Sequence, residues 1–238
     1  MFATLANLRL LLWPFNHTVK ISNLETYIRK SKAESWHLYA IRHRCRRPHV
    51  CLACEWLADS LGQNDLVFET GCGSGINLFW LAKRGFRNIC GADLSTEAVS
   101  LANYLAEHLD IKMDIWQDDC LSPKHIPHNI NGLIALNWLY HIPNISLDKI
   151  FIEYKDNLAA GAKVVFDMID VSYNFHKNNE FHSDDISLPL NERRKTEYHL
   201  RLSKKEIANI VEKYGFKVVR HARVWNRIPR TVWLVERK

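Results

Sequence analysis

The sequence lacks an apolar run long enough to cross a bilayer, and it has no internal repeat, low-complexity stretch or linker rich in proline or glycine. Glycine occurs 9 times and proline 7 times in 238 residues, so the composition indicates no boundary between separate domains. With 47% hydrophobic residues, a chain of this length can bury a full core. We therefore expect one α/β domain with additions.

The cysteines are spread over segments predicted as helix, strand and turn, at positions 45, 51, 54, 72, 90 and 120. This spacing is not that of a compact disulfide framework, so we expect free thiols and a reducing, cytoplasmic location. Five residues of metal-binding type cluster in sequence: His43, Cys45, His49, Cys51 and Cys54. Because Cys51 and Cys54 lie one helical turn apart among apolar residues, a place in the core is favoured over a metal site, and no metal is expected.

The formal net charge of +6 and the pI near 9.0 are mild, and they suit an anionic small molecule as well as nucleic acid. The apolar residues 1–20 show neither a basic leader nor a small-residue cleavage site, and they predict an amphipathic helix that packs on the domain or on a partner. A peripheral membrane contact through residues 10–15 is the alternative. A homodimer is also compatible with the sequence.

From residue 49 onward, helical and strand patterns alternate, which predicts a parallel sheet with right-handed crossovers. The predicted helices cover residues 49–61, 76–85, 95–109, 146–158 and 203–214, and the predicted strands cover 66–69, 88–93, 111–117, 132–137, 162–169, 216–225 and 230–236. The last two strands are joined by a short turn and predict an antiparallel hairpin. The polar stretch 171–200 interrupts this order and is expected to form an insertion lying over one edge of the sheet, like a lid.

Polar residues stand where the first three predicted strands end. The first strand leads into Glu69 and a glycine turn (residues 69–75, ETGCGSG), the second ends in Asp93, and the third is followed by Asp118 and Asp119. In an open α/β sheet these ends border one crevice, where the ligand binds. Glycines let the backbone approach the ligand, and a carboxylate such as Asp93 can accept both hydroxyls of a ribose.

With these motifs in this order, residues 49–170 resemble the class I S-adenosylmethionine-dependent methyltransferases. The resemblance implies a Rossmann-like, doubly wound, seven-stranded and mostly parallel sheet at residues 49–238, preceded by an N-terminal helical extension at residues 1–48. A dinucleotide fingerprint would need glycine where this chain has Ile76, which argues against a dehydrogenase.

The resemblance also implies a role for each cofactor-binding residue. Those expected to hold the methionine part of the cofactor are Glu69, Gly71 and Gly73, with Cys72 in a small-residue position between them. Asp93 is expected to hold the ribose, and the residues expected around the adenine are Leu94, Asp118, Asp119 and Cys120. In relatives an N-terminal helix covers the cofactor, so Trp36 and Tyr39 are expected over its methionine end.

The acceptor site is expected after the fourth strand. Asn137 would lie close to the sulfonium, and the candidate catalytic residues are Tyr140, His141 and Asp167. His141 can deprotonate a hydroxyl or an amine, or it can be a structural helix cap. Asn137 and Tyr140 match the first and last residues of the tetrad of amino-group methyltransferases, but the two central prolines of that tetrad are missing.

Three further groups of polar residues have open interpretations. Asp170 is expected to point into the crevice together with Asp167. The arginines at positions 42, 44, 46 and 47 form either a solvated face or an attraction for an acidic acceptor. The insertion contains polar residues that can bind an acceptor or an ion or can simply face solvent: His176, His182, Asp184, Asp185, Glu197 and His199.

The leading prediction is an enzyme that transfers methyl from S-adenosylmethionine to an O or N atom of a small, perhaps acidic, metabolite, because no nucleic-acid or peptide-binding module is recognisable. The second is an RNA or protein methyltransferase that uses the basic N-terminal face. The third is a noncatalytic subunit that binds the cofactor. No motif in the sequence specifies the acceptor.

Overall fold

The computed structural model describes residues 26, 28, 30, 35–142, 145–173, 187–193, 200–225 and 228–238. Its helices are α1 (Ser35–Arg42), α2 (Pro48–Ala58), α3 (Ile76–Lys83), α4 (Thr96–His108), α5 (Asp148–Tyr154) and α6 (Lys204–Lys213). Its strands are β1 (Leu66–Thr70), β2 (Asn88–Asp93), β3 (Asp114–Gln117), β4 (Ile130–Ala135), β5 (Leu158–Ile169), β6 (Phe216–Val224) and β7 (Arg230–Arg237). Short 3-10 turns cover Arg44–Arg46, Leu139–His141 and Lys155–Asn157.

The seven strands form one sheet in the order β3-β2-β1-β4-β5-β7-β6. Strands β1 to β5 pair in parallel, whereas β7 is antiparallel to both β5 and β6. The predicted fold class and the C-terminal antiparallel hairpin are therefore confirmed. The strand order reverses between β1 and β4, and in such sheets the crevice outside the carboxyl ends of these two strands is where ligands bind.

Helices cover both faces of the sheet and bury two apolar clusters. One cluster includes Leu57, Phe79 and Leu101 from α2, α3 and α4, and the other includes Phe151 and Val211 from α5 and α6. The predicted caps are confirmed, since Ser95 Oγ accepts the backbone N–H of Ala98 at the start of α4, and Ser203 forms a capping box with Glu206. The helices therefore cover the two faces of the sheet, and the site lies at the carboxyl ends of its parallel strands.

The boundary predicted between the fourth helix and the fifth strand is wrong. The helix ends at Tyr154, and β5 already begins at Leu158. Gly161, expected to close the helix, lies within β5 with φ 74°, where the pairing with β4 shifts from Leu158 to Lys163. The bulge takes up the extra residues, so pairing with β4 overrides a local pattern that is compatible with a helix. β3 is also shorter than residues 111–117.

Several sequence predictions lie outside the described residues. These are the apolar N-terminal residues 1–20, the side chain of Trp36, and most of the expected insertion, including all of its candidate histidines and acids. Within the described part of the chain, no helix is both long and apolar enough to cross a membrane.

The contact between β2 and the glycine turn is tight, because a Cβ on Gly91 would lie 3.0 Å from the side chains of Cys72 and Leu78. We expect Gly91→Ala to lower the free energy of unfolding by about 1–3 kcal/mol through overpacking, measured by urea unfolding. Gly62→Ala is the matched control, since its nearest neighbour atom lies at 3.6 Å, and it should change stability by less than about 0.5 kcal/mol. Equal effects of the two substitutions would contradict this packing.

Candidate active site

The glycine turn after β1 adopts a backbone that side chains would disturb. Gly71, Gly73 and Gly75 have φ of 65°, 54° and 75°, in the left-handed region. A Cβ on Gly71 would lie 2.6 Å from Trp138 Cδ1, so glycine is needed there for space as well as for conformation. The Gly71 N–H donates to Cys120 Sγ at 3.0 Å. The turn is therefore tied to the chain that follows β3.

Asp93, at the end of β2, forms hydrogen bonds both to the glycine turn and to Ser95, the residue before α4. Its Oδ2 accepts the N–H of Gly73 at 2.7 Å, and its Oδ1 accepts the N–H of Ser95 at 2.9 Å. Leu94 beside it is 65% exposed. Asp93 thus shapes the turn while its carboxylate borders the cavity.

The loop after β3 is held by its own polar groups. Asp118 is buried, and its carboxylate accepts the backbone N–H groups of Asp119, Lys124 and His125. These hydrogen bonds fix the conformation of the loop. Asp119 Oδ1 accepts the N–H of Leu121. These contacts organise the loop, and the role of Asp118, Asp119 and Cys120 toward an adenine stays a prediction.

Glu69 is buried at the base of the turn. Its Oε1 accepts from Asn77 Nδ2 at 2.7 Å, and Asn77 in turn accepts from the buried Arg44 Nε at 3.2 Å. Its Oε2 is buried and has no hydrogen-bond partner among the described residues. Burial raises the pKa of Glu69 to about 8, against the opposing effects of Asn77 and Arg44.

A cavity of about 770 Å³ joins this turn to the segment after β4. Its lining residues are Tyr39, Ala40, Arg47, Glu69, Gly71, Cys72, Gly73, Ser74, Ile76, Asn77, Asp93, Leu136, Asn137, Trp138, Tyr140, His141 and Arg230. The structure therefore brings together the predicted cofactor residues of β1 and β2 with Tyr39 and with the predicted acceptor residues Asn137, Tyr140 and His141.

Asn137 is the centre of a buried network at the far end of this cavity. Its backbone has φ 62°, and its N–H donates to Asp167 Oδ1 at 2.8 Å. Its side-chain Oδ1 lies 2.9 Å from the Tyr140 hydroxyl and 2.7 Å from His49 Nε2. Burial lowers the pKa of His49 to about 4 despite the nearby Asp167 carboxylate, so the ring is neutral near pH 7.

The expectation that Asp167 and Asp170 point into the crevice is corrected. Neither side chain lines the cavity, and both are buried. Asp167 lies behind Asn137, while Asp170 Oδ2 pairs with Arg223 Nε at 3.1 Å. Asp167 lies within β5, where successive side chains alternate between the two faces of the sheet, whereas Asp170 follows the end of β5 at Ile169.

The sequence patterns do not predict the positions of His49, Trp138 and Arg230: Trp138 and Arg230 line the cavity, and His49 contacts Asn137. Arg230 begins β7, is 8% exposed, and its guanidinium carbon lies 4.1 Å from the centre of the Tyr140 ring. Its only sequence signal was its place at the start of an antiparallel strand that runs back toward the crevice. The sequence places His49 only in a candidate cluster of metal ligands. Within the described part of the chain, no group of three or more metal-binding side chains occurs.

Arg47 is the second cation of the cavity. It follows the 3-10 turn Arg44–Arg46, and its Nη2 donates to the carbonyl of Ala40 at 2.9 Å. Of the four arginines predicted to form either a solvated face or an attraction for an acidic acceptor, Arg47 lines the cavity, whereas Arg44 is buried against Asn77. The N-terminal basic segment therefore contributes one positive charge to the site.

The model of the methyltransferase domain family matches residues 24–221. The chain belongs to this family. It is a class I, S-adenosylmethionine-dependent methyltransferase, as the family, the fold and the arrangement of the turn together indicate. A comparison with curated protein sequences found no match.

Solved structures share the fold of this methyltransferase at low sequence identity. Magnesium protoporphyrin IX methyltransferase from Synechocystis PCC 6803, with bound SAH, has a TM-score of 0.60 and 17% identity over 92% of this chain and 90% of that chain. A Burkholderia thailandensis 1,6-didemethyltoxoflavin-N1-methyltransferase has a TM-score of 0.62 and 13% identity over 92% of each chain. A [4+2]-cyclase, SpnF, reaches 0.62 at 12% identity over 81% of each chain, so the fold alone does not fix the reaction.

Two features of the methyltransferase fit its cofactor. The buried Oε2 of Glu69, which lacks a partner among the described residues, can accept from an ammonium group. Each carboxylate oxygen of Asp93 accepts one backbone N–H and keeps a second acceptor position, which suits the hydroxyls of a ribose. Glu69 and Asp93 both line the cavity.

The raised pKa of Glu69 makes the stability of the methyltransferase depend on pH. Between about pH 4.5 and pH 8, the folded protein keeps the proton on Glu69, whereas the unfolded chain has lost it. The stabilisation that this difference provides is complete below the range and is lost as the pH rises through it. Glu69→Gln stays neutral, so we expect wild type to lose stability relative to this variant between about pH 5 and pH 8.5. Urea unfolding without cofactor across this range measures the difference.

The control for this prediction is Glu107→Gln, on the exposed side of α4. It should follow the wild-type dependence on pH. A constant difference between wild type and Glu69→Gln across the whole range would contradict the buried, protonated state of Glu69.

Proposed function

We propose that this methyltransferase transfers a methyl group to an O or N atom of a small, anionic metabolite. The observation that carries the proposal is the pair of cations, Arg47 and Arg230, on the cavity that also contains the glycine turn and Asn137. An arginine in a partly enclosed cavity attracts carboxylate or phosphate more strongly than one in open solvent, because water screens the charges less there. The cavity volume of about 770 Å³ is typical of sites for small molecules.

For the cofactor end of the site we propose the assignments that the sequence predicts. S-adenosylmethionine supplies a methyl group activated by its sulfonium. We propose that Glu69, Gly71, Cys72 and Gly73 surround its methionine part and that Asp93 binds the ribose. The proposed surroundings of the adenine are Leu94, Asp118, Asp119 and Cys120. Tyr39, which is 57% exposed at the cavity rim, and Trp36 of the same helix are proposed to cover the methionine end.

Tyr140 and His141 are the proposed acceptor-side residues. Both line the cavity next to Asn137, and their ring centroids lie 4.7 Å apart. Methyl transfer requires in-line approach of the acceptor atom to the methyl group, and positioning alone supplies much of the rate enhancement. Asp167 acts in this proposal through Asn137, whose backbone it holds.

The structural neighbours named above support a small acceptor, since they are named as methyltransferases of magnesium protoporphyrin IX and of 1,6-didemethyltoxoflavin. We further propose that residues 1–48 form an extension that closes over the site, that residues 171–200 form a second cover, and that the protein works in the cytoplasm. An RNA or protein acceptor and a noncatalytic role are the alternatives that the experiment must separate.

The test is transfer of labelled methyl from S-adenosylmethionine by the full chain. It is offered mixed small carboxylates, phenols and amines in one reaction, total RNA in a second and a protein extract in a third. We expect label in the small-molecule fraction. Arg230→Gln should weaken use of anionic acceptors by about tenfold or more, since a hydrogen bond to a charged group contributes about 1.5–3 kcal/mol.

Arg220→Gln is the matched control for this test, because Arg220 is exposed on β6 and lies outside the cavity lining. It should retain wild-type transfer. Label confined to RNA or protein would overturn the proposed acceptor class, and binding of the cofactor without transfer to any fraction would favour the noncatalytic role.

A further inference from the structure

The orientation of the Asn137 carboxamide determines what the acceptor end of the cavity can recognise. Its Oδ1 lies 2.9 Å from the Tyr140 hydroxyl and 2.7 Å from His49 Nε2. A carboxamide oxygen has two acceptor positions. If both neighbours donate, Oδ1 is fully used and only the Nδ2 amino group is left to face a ligand.

The environment of His49 settles which ring nitrogen carries the proton. Its Nδ1 is buried and has no hydrogen-bond partner among the described residues, so a proton there would be a buried, unsatisfied donor. Its Nε2 faces Asn137 Oδ1, and Asp167 Oδ2 lies 3.8 Å away. A bare Nε2 lone pair would meet two oxygens, whereas an Nε2–H is attracted to both. The neutral ring therefore donates through Nε2.

Asn137 consequently presents a donor to the cavity. It lines the cavity wall, and its Nδ2 has no hydrogen-bond partner among the described residues. Arg230 lines the same cavity and places a positive charge over the Tyr140 ring, whose hydroxyl contacts Asn137. A donor and a cation side by side suit an anionic oxygen, and they disfavour an amino group, which needs an acceptor for its own N–H.

We propose that the methylated atom is a carboxylate oxygen, which accepts from Asn137 Nδ2–H and faces Arg230. This inference rests on the proposed function and narrows its acceptor from an O or N atom to an ionised oxygen. His49 is the positioning residue, because it fixes the carboxamide without touching the acceptor. Asn137 and Tyr140 match the first and last residues of the tetrad of amino-group methyltransferases. In this chain the Asn137 oxygen contacts His49 and Tyr140, so the side chain offers a ligand a hydrogen-bond donor and not an acceptor.

A carboxylate acceptor also needs no group in the site to remove a proton from it. It is ionised near neutral pH, so one of its oxygens can attack the methyl carbon with no proton to remove. The new O–C bond forms as the C–S bond breaks, and the electron pair of that bond returns to sulfur, leaving a methyl ester and the neutral thioether product. An amine would have to lose a proton, and the Asn137 oxygen is not free to accept it.

The first test observes the His49 tautomer by ¹⁵N NMR of the full chain near pH 7. Correlations between the ring protons and the ring nitrogens distinguish a protonated Nε2 from a bare one, and the His49→Gln variant identifies the signal among the 12 histidines. We expect a proton on Nε2. A bare Nε2 would mean that the carboxamide is turned the other way, and it would overturn the inference without any ligand being known.

The second test uses benzoate and benzylamine as probes on the protein saturated with S-adenosylhomocysteine. We expect benzoate to shift the side-chain amide signal of Asn137 and to bind more tightly than benzylamine. Asn137→Asp, which replaces the donor by a carboxylate, should weaken benzoate by about tenfold or more. Tighter binding of benzylamine, or no effect of benzoate on the Asn137 signal, would overturn the inference.

The control is Asn157→Asp, which makes the same charge change at the amino end of β5, whereas Asn137 follows the carboxyl end of the parallel strand β4. It should leave benzoate binding unchanged.

Calorimetry with S-adenosylhomocysteine separates the two levels of failure. Loss of cofactor binding in wild type would contradict the proposed function itself, whereas normal cofactor binding with a bare His49 Nε2 would contradict only the carboxylate acceptor.

Discussion

The acceptor end of the cavity depends on one hydrogen bond, from the Asn137 backbone N–H to the buried carboxylate of Asp167 at 2.8 Å. Asn137 has a left-handed backbone, with φ 62°, a conformation that asparagine tolerates and that this hydrogen bond stabilises. Asp167 is 1% exposed on the central strand β5, so its position is set by the sheet. The side chain of Asn137, and with it the direction of its amide, follows from this anchor through His49 and Tyr140.

The cavity lining carries both kinds of charged group. Glu69 and Asp93 supply carboxyl groups beside the glycine turn. Arg47 and Arg230 supply positive charge, and Arg47 lies close enough to Glu69 to oppose the rise in its pKa. In the proposed function, the carboxyl groups orient the cationic donor and Arg230 orients the anionic acceptor before reaction, and such positioning supplies much of the rate enhancement.

The sheet, and the meeting of the glycine turn with Asp93 at one cavity, were predictable from sequence, because both depend on local patterns: apolar strands, the glycine turn and an acid at the end of β2. The acceptor end was less predictable. Asp167 is part of β5 and was expected in the crevice, yet it lies behind Asn137, and Arg230 comes from a strand that pairs antiparallel with β5. Contacts between residues as distant as His49 and Asn137 leave no periodic signal in the sequence, and pairing of β5 with β4 overrode the local helical pattern near Gly161.

The most direct measurement is a crystal structure of the full chain with S-adenosylhomocysteine, because the position of its sulfur locates the transferred methyl group. The account predicts that the ammonium of the ligand meets Glu69 Oε2 and that the sulfur faces Asn137 Nδ2 and the Arg230 side of the cavity. A sulfur that points away from Asn137, toward a surface without either arginine, would contradict it.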